Sequence, residues 1–175
     1  VPSISFGMPV LRSVRRITDL VLDVHLMIEK PERYIDEFAD CGADIITIHY
    51  EACEDLPGTL QKIRAKGLKA VVVIKPNTPN GVLEGVLDQV DMVLLMTVEP
   101  GFGGQAYIPS STEKIKELRR MLDARGLQTD IEVDGGIKKE NLQTVLDAGA
   151  NVIVDGSAIF AGDIRQNVQD FLKMM

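Results

Sequence analysis

Six short apolar runs recur along the chain, and each is followed by a more polar segment. In chain order the runs occupy residues 20–25, 43–49, 69–75, 92–98, 129–133 and 151–154. Most of their carboxyl ends lie about 21 to 26 residues apart, and one step of about 36 separates the fourth run from the fifth. Spacing of this kind is typical of alternating strands and helices.

The runs show little alternation of apolar and polar positions, so strands at these places would be covered on both faces. The segments between them carry helix signals. Pro31 favours a helix start and Gly42 its end, while Gly67 ends another helical pattern. We therefore predict one α/β domain over residues 1–175, a TIM (β/α)8-type barrel with about six βα units in this chain.

Glycines at two strand ends predict a phosphate site. The segment from Ile131 to Ile137 delivers a carboxylate, Asp134, and then Gly135-Gly136, and the last run is followed by Gly156-Ser157. Backbone N–H groups at such turns are unpaired and can bind an anion above the sheet. Gly103-Gly104, in the loop after the fourth run, would add a third turn. An acid beside these turns predicts an enzyme that acts on a small phosphorylated substrate.

Composition narrows the expected partners and location. The chain is acidic, with a formal net charge of -7 and a pI near 4.9. An acidic surface repels nucleic acid and anionic membranes, so we expect neither as a partner. No apolar run approaches the roughly 18 residues of a membrane helix, and Val1 follows no basic n-region, which predicts a cytoplasmic location. Cys41 and Cys53 lack metal-ligand spacing, which predicts free thiols.

Five motifs resemble the ribulose-phosphate 3-epimerase family, which has the TIM-barrel fold. In the family's order they are Asp23-Val24-His25-Leu26-Met27, Lys75-Pro76-Asn77-Thr78-Pro79, Met96-Thr97-Val98-Glu99-Pro100-Gly101-Phe102-Gly103-Gly104-Gln105, Val133-Asp134-Gly135-Gly136-Ile137 and Gly156-Ser157-Ala158-Ile159-Phe160. The resemblance runs from Val1 to the C-terminus. It implies metal-dependent epimerisation at C3 that interconverts D-ribulose 5-phosphate and D-xylulose 5-phosphate through an enediolate.

The resemblance also implies roles for particular residues. Asp134 would transfer a proton and share a divalent cation with His25, and Zn, Fe, Mn or Co suits such a nitrogen and oxygen pair. Met27 and Met96 would form an apolar wall beside the reacting carbons, although an ordinary core position fits them equally well. The substrate phosphate would bind at the turns Gly103-Gly104, Gly135-Gly136 and Gly156-Ser157.

The chain differs from the family pattern at its start. The segment from Val1 to Gly7 resembles the part that follows the family's second strand, so two βα units, roughly 40 residues, are expected to be absent. The family's His-x-Asp metal ligands and second catalytic aspartate belong to those units. Epimerisation removes a proton from one face of the carbon and returns one to the other, which two acids achieve more easily than one. Six strands would leave two open sheet edges, which favours a homo-oligomer.

Two other functions remain open. One is a 3-epimerase for 6-carbon ketose phosphates, although the segments 101–105 and 156–160 favour the pentose substrate. The other is a noncatalytic barrel that associates with other chains, as open sheet edges would allow. His25 also fits a structural histidine, and Asp134 also fits a cap for a helix that begins near Lys138.

Several further polar residues lie near strand ends. Asp155 stands where the family usually has a small residue, and its carboxylate would either point outward or weaken phosphate binding. His49, Glu51 and Lys75 are interpreted as surface or supporting groups rather than direct ligands. The acidic run 51–55 is interpreted as solvated surface.

Overall fold

The computed structural model describes Val1 and residues 6–175, in which six parallel strands form one sheet. The strands are β1 (Asp23–Leu26), β2 (Ile45–His49), β3 (Lys69–Ile74), β4 (Met92–Met96), β5 (Asp130–Asp134) and β6 (Val152–Val154). Each strand pairs with the next along the chain, and within the described residues β1 and β6 each have one neighbour. The predicted number and order of parallel strands are therefore confirmed.

Helices connect the strands along one face of the sheet. They are α1 (Met8–Arg15), α2 (Ile35–Asp40), α3 (Leu56–Ala65), α4 (Ser111–Ala124), α5 (Lys139–Asp147), α6 (Ser157–Phe160) and α7 (Ile164–Met174). Short 3-10 turns occur at Pro31–Arg33, Tyr50–Ala52 and Asn80–Leu83. None of these helices is long and apolar enough to cross a bilayer. The glycines predicted to follow α2 and α3, Gly42 and Gly67, have positive φ angles of 97° and 78°.

Alternate residues of the strands face two different apolar layers, as the twofold period of a strand requires. On β3, the side chains of Ala70, Val72 and Ile74 join the large core that includes the helices, while Val71 and Val73 lie in a smaller cluster on the opposite face. Both faces of the central strands are buried. This double burial explains why the apolar runs in the sequence lack polar alternation.

The structure corrects several predicted boundaries. The first strand begins at Asp23 rather than Leu20, and the side chains of Leu20 and Val21 are 75% and 66% exposed. The carbonyl of Leu22 accepts hydrogen bonds from the start of β2, so pairing begins there. Helix α4 begins at Ser111, two residues after Pro109. The segment from Val1 to Gly7 resembles the part of the family's sequence that follows its second strand. Residues 2–5 of this segment lie outside the described residues.

The two cysteines are free thiols, as predicted. Cys41 is buried and Cys53 is partly buried. The thiol of Cys53 contacts the hydroxyl of Thr59 at 3.3 Å. Burial raises the pKa of the Cys53 thiol, which favours an unreactive, protonated side chain.

Candidate active site

A cavity of about 250 Å³ lies at the carboxyl ends of β4, β5 and β6. All the residues assigned to the site from sequence line it except His25; they are Met27, Met96, Gly103, Gly104, Asp134, Gly135, Gly136, Gly156 and Ser157. His25 lies beside this group, because its Nδ1 is 3.8 Å from Oδ2 of Asp134. The fold therefore brings the three predicted glycine turns and the predicted acid to one place.

The backbone around Asp134 requires the two glycines that follow it. Gly135 and Gly136 have φ angles of 119° and 69°, which side-chain-bearing residues rarely adopt. A Cβ atom at Gly136 would also overlap the backbone of Tyr107, and one at Gly135 would overlap the side chain of Val98. The glycines let the loop after β4 pack directly against the end of β5, beside the carboxylate.

Asp134 does not cap α5, so that interpretation is wrong. The N-cap is Lys138, and the side chain of Asn141 accepts from its N–H at 2.7 Å. No hydrogen bond joins the Asp134 carboxylate to another described residue, and its side chain is 24% exposed. It is therefore free to contact a ligand in the cavity.

Met27 and Met96 lie both in the apolar core and at the wall of the cavity, the two positions that the sequence allowed. Met96 is 2% exposed and belongs to the smaller apolar cluster, and Met27 packs against the same cluster. Both side chains also contribute to the cavity wall beside Asp134. Their contact with substrate stays a prediction.

The loop after β4 is held in shape by its own side chains. Gln105 Nε2 donates to the carbonyls of Glu99 at 2.7 Å and Phe102 at 2.9 Å. These bonds turn the segment with Gly103-Gly104 toward the cavity, and the Phe102 side chain at its tip is 74% exposed.

The Asp155 carboxylate does not point outward into solvent. Its Oδ1 accepts from the backbone N–H of Ala158 at 3.1 Å, and its Oδ2 is shielded from solvent without a hydrogen-bond partner among the described residues. Burial and the nearby charge of Asp134 raise the pKa of Asp155, against the hydrogen bond from Ala158. The carboxylate also lines the cavity, so a negative group stands in its wall.

The pairing of His25 with His49 was not predicted from the sequence. Nε2 of His25 and Nε2 of His49 are 2.9 Å apart, and the two rings meet edge to edge, with planes 24° apart and centroids 4.9 Å apart. Nδ1 of His49 is 3.3 Å from Oε2 of Glu51. His49 lies two residues beyond Thr47, which pairs with His25, so the twofold strand period was the available signal.

Glu51 is a supporting group, one of the two roles that the sequence left open for it, and its side chain is 20% exposed. Burial opposes its ionisation, but hydrogen bonds from His49, Thr78 and the N–H of Lys75 outweigh this and lower its pKa to about 2. Burial lowers the pKa of His49, against the hydrogen bond to Glu51. Glu54, by contrast, is an exposed surface residue paired with Lys30 at 2.7 Å.

The donor set suits a divalent cation in part. His25 and Asp134 offer a nitrogen and an oxygen, the borderline pair that Zn, Fe, Mn and Co accept. Within Val1 and residues 6–175, no three His, Cys, Asp or Glu side chains converge as a complete metal site. These two residues therefore fit a cation whose other ligands come from elsewhere.

A buried acid lies one layer below this pair. Glu132, two residues before Asp134, is 3% exposed and its carboxyl group interacts with that of Asp23. Burial and the neighbouring charges of Asp23 and Asp134 raise the pKa of Glu132 to about 8. At neutral pH the Glu132 side chain is therefore mostly protonated and uncharged. The sequence of the fifth run did not predict this.

Glu132 predicts a pH dependence of stability. Its folded pKa of about 8 exceeds the ordinary value of 4.5, so the folded state binds more protons between these values. The free energy of unfolding should therefore fall by on the order of a few kcal/mol as the pH rises through that window. Glu132→Gln should abolish this component, measured by urea unfolding at pH 5 and pH 8. The exposed Glu113→Gln serves as control, and equal pH slopes for all three proteins would contradict the prediction.

Comparisons with known proteins agree on one family. A family model described as "Ribulose-phosphate 3 epimerase family" matches residues 1–160. A ribulose-phosphate 3-epimerase of Bacillus subtilis is 53% identical over 167 residues, covering 95% of this chain and 77% of the relative. One from Synechocystis is 51% identical and one from Escherichia coli 45% identical, each covering 91% of this chain and respectively 70% and 72% of the relative.

Solved structures confirm the fold class. A 3-hexulose-6-phosphate synthase superimposes with a TM-score of 0.73 at 20% identity, covering 97% of this chain and 81% of that chain. A mutant tryptophan synthase alpha-subunit from Pyrococcus furiosus gives 0.69 at 19% identity, covering 95% and 72%. The predicted TIM-barrel type is therefore confirmed, with six strands in the described part of this chain.

Proposed function

The chain belongs to the ribulose-phosphate 3-epimerase family, and we propose that it interconverts D-ribulose 5-phosphate and D-xylulose 5-phosphate by epimerisation at C3. One observation carries the proposal: Asp134 shares a single cavity with three glycine turns at the carboxyl end of a parallel sheet. The names of the relatives support a pentose phosphate over a 6-carbon ketose phosphate.

The residues divide the work of binding and proton transfer. Backbone N–H groups at the glycine turns bind the phosphate, which leaves the sugar extended toward Asp134. Met27 and Met96 exclude water from the reacting carbon, and Asp134 moves the proton at C3. A divalent ion held by His25 and Asp134 would supply Lewis-acid stabilisation of negative charge on the substrate oxygens. Asp134 is the one acid that we assign, and it serves one face of the carbon.

Proton NMR in D2O tests the proposed reaction. D-ribulose 5-phosphate is incubated with the 175-residue chain, and with a version extended at its N-terminus by two βα units. We expect xylulose 5-phosphate and deuterium at C3 with the extended version. A protein with an acid on only one face of C3 would exchange the C3 proton of one epimer for deuterium but would not convert that epimer into the other. If both proteins show no deuterium exchange and no conversion, the proposal is contradicted. If a 6-carbon ketose phosphate reacts faster than D-ribulose 5-phosphate, the proposed substrate is wrong.

We expect the negative charge of Asp155 to weaken phosphate binding, and one substitution should remove this effect. Its carboxylate lines the same cavity and holds the Ala158 N–H. Asp155→Asn keeps an oxygen that can accept this hydrogen bond but removes the negative charge. We expect the dissociation constant for inorganic phosphate to fall by about tenfold, equivalent to about 1.4 kcal/mol, measured by calorimetry.

Asp163→Asn is the matched control for this prediction. Asp163 accepts from the N–H of Gln166 at 3.0 Å in the same arrangement, at the start of α7, but does not line the cavity. Both variants remove one negative charge from the chain. Equal phosphate affinities for the two variants would show that the local charge of Asp155 does not act on the site.

We also propose that the chain forms a homo-oligomer. The edge of β1 faces a largely apolar cavity of about 460 Å³, lined in part by Phe6, Val10 and Phe38. Within the described part of the chain this edge has no partner strand, and such an edge beside apolar surface favours association with another chain. Light scattering measures the mass in solution, and a stable monomer at high concentration would contradict this proposal. An oligomer without C3 exchange would favour the noncatalytic alternative.

A further inference from the structure

We propose that His49 is a positioning residue that fixes the ring tautomer of His25 and leaves the Nδ1 lone pair of His25 free beside Asp134. The proposal deepens the function proposed above and rests on it for the role of His25 as a cation ligand. It follows from a chain of hydrogen bonds that runs from Glu51 through both histidine rings.

The chain of hydrogen bonds begins at a carboxylate that accepts from its neighbours. Oε1 of Glu51 accepts the N–H of Lys75 at 2.8 Å and the hydroxyl of Thr78. The backbone N–H can only donate, so this carboxylate is oriented as an acceptor. Its second oxygen, Oε2, is 3.3 Å from Nδ1 of His49. Two unprotonated acceptors would repel at this distance, so Nδ1 of His49 carries the hydrogen.

The next bond joins the two rings. Nε2 of His49 and Nε2 of His25 are 2.9 Å apart, which requires one of them to carry hydrogen and the other to accept. The His49 side chain is only 5% exposed, so its hydrogen-bond partners are the two groups just named, and at the pH of 8 used below an imidazole ring carries one hydrogen. A neutral ring with hydrogen on Nδ1 has its lone pair on Nε2. His25 therefore donates from Nε2, and its own lone pair lies on Nδ1.

The lone pair of His25 then faces the proposed cation position. Nδ1 of His25 is 3.8 Å from Oδ2 of Asp134, too far for a good hydrogen bond. These two atoms are close enough that both side chains could hold the same cation, with the free lone pair of His25 as the nitrogen ligand. Histidine ligands commonly donate their other ring N–H to a fixed acceptor, and here that acceptor is a second histidine.

Nitrogen NMR reads the tautomers directly in the metal-free protein. The chain has two histidines, so histidine-selective ¹⁵N labelling gives four ring nitrogens, and protonated and unprotonated nitrogens have well-separated shifts. At pH 8 we expect hydrogen on Nε2 of His25 and on Nδ1 of His49. A doubly protonated His49, or a His25 with hydrogen on Nδ1, would overturn the proposal.

Two replacements at His49 separate positioning from packing. In His49→Gln the new amide oxygen keeps an acceptor for the N–H of His25. In His49→Leu the side chain has no acceptor, so His25 should be released to donate from Nδ1 toward Asp134. We expect His49→Leu to raise the dissociation constant for Co²⁺, followed by visible absorption, by about 10- to 100-fold. His49→Gln should stay within a few-fold of the unmodified protein, and equal affinities in both variants would overturn the proposal.

A second pair of variants avoids the histidine contact. Glu51→Gln removes the charge that orients His49, and it should populate both His49 tautomers and weaken Co²⁺ binding several-fold. Glu54→Gln removes a nearby carboxylate whose partner is the exposed Lys30. This variant should change neither the His49 tautomer nor the affinity for Co²⁺. An unchanged His49 spectrum in Glu51→Gln would overturn the proposal. These measurements use no substrate, so a failure of C3 exchange would reject the proposed function while leaving the tautomer result intact.

Discussion

Asp134→Asn is expected to lower the epimerase turnover number by about three orders of magnitude. Asparagine has nearly the same shape as aspartate, but its amide cannot accept a proton from C3 or return one. The fold should tolerate the change, because no other described residue hydrogen-bonds to this carboxylate. Turnover and deuterium exchange at C3 are measured in the extended version of the chain, together with urea unfolding.

A matched control lies at the other end of the same strand. Asp130 accepts from Nδ2 of Asn151 at 2.6 Å and lies away from the cavity. Asp130→Asn should cost some stability and leave C3 exchange near its normal rate. Near-normal exchange in Asp134→Asn would instead remove Asp134 from the mechanism. A variant that unfolds is repeated as Asp134→Glu, which retains the acid but displaces it and should slow exchange.

Removal of the divalent metal is expected to abolish epimerase activity. His25 binds a cation only as a neutral ring, and together with Asp134 it supplies a nitrogen and an oxygen ligand. A chelator should therefore stop the reaction, and added Zn, Mn, Fe or Co should restore it. His25→Ala should lower the bound metal well below that of the unmodified protein, as measured by elemental analysis after gel filtration.

The metal prediction has a control that leaves the site intact. Asp163→Asn removes a carboxylate at the start of α7, outside the cavity, and should keep both metal and rate. His25→Ala with full metal content and full rate would refute the ligand assignment. Activity that persists in a chelator-treated protein without detectable metal would refute the metal requirement.

Local sequence signals were sufficient for some site residues and insufficient for others. They located Asp134 and its glycines, because a positive φ angle next to a strand end needs glycine whatever the surroundings. The same signals left Glu51, which follows a strand and stands in an acidic run, undecided between a surface and a supporting role. Its environment depends on Lys75 and Thr78, which are more than 20 residues away along the chain.

The apolar runs and glycines by themselves determined the number of strands, their parallel order and the cluster of turns around Asp134. Backbone preferences and the covering of both sheet faces are local or periodic properties, so they are encoded in neighbouring residues. Only the tertiary structure decided the hydrogen-bonded pairing of His25 with His49, the raised pKa of Glu132 and the inward turn of Asp155. Each of these depends on burial and on partners contributed by other parts of the chain, because desolvation and hydrogen bonding act through space.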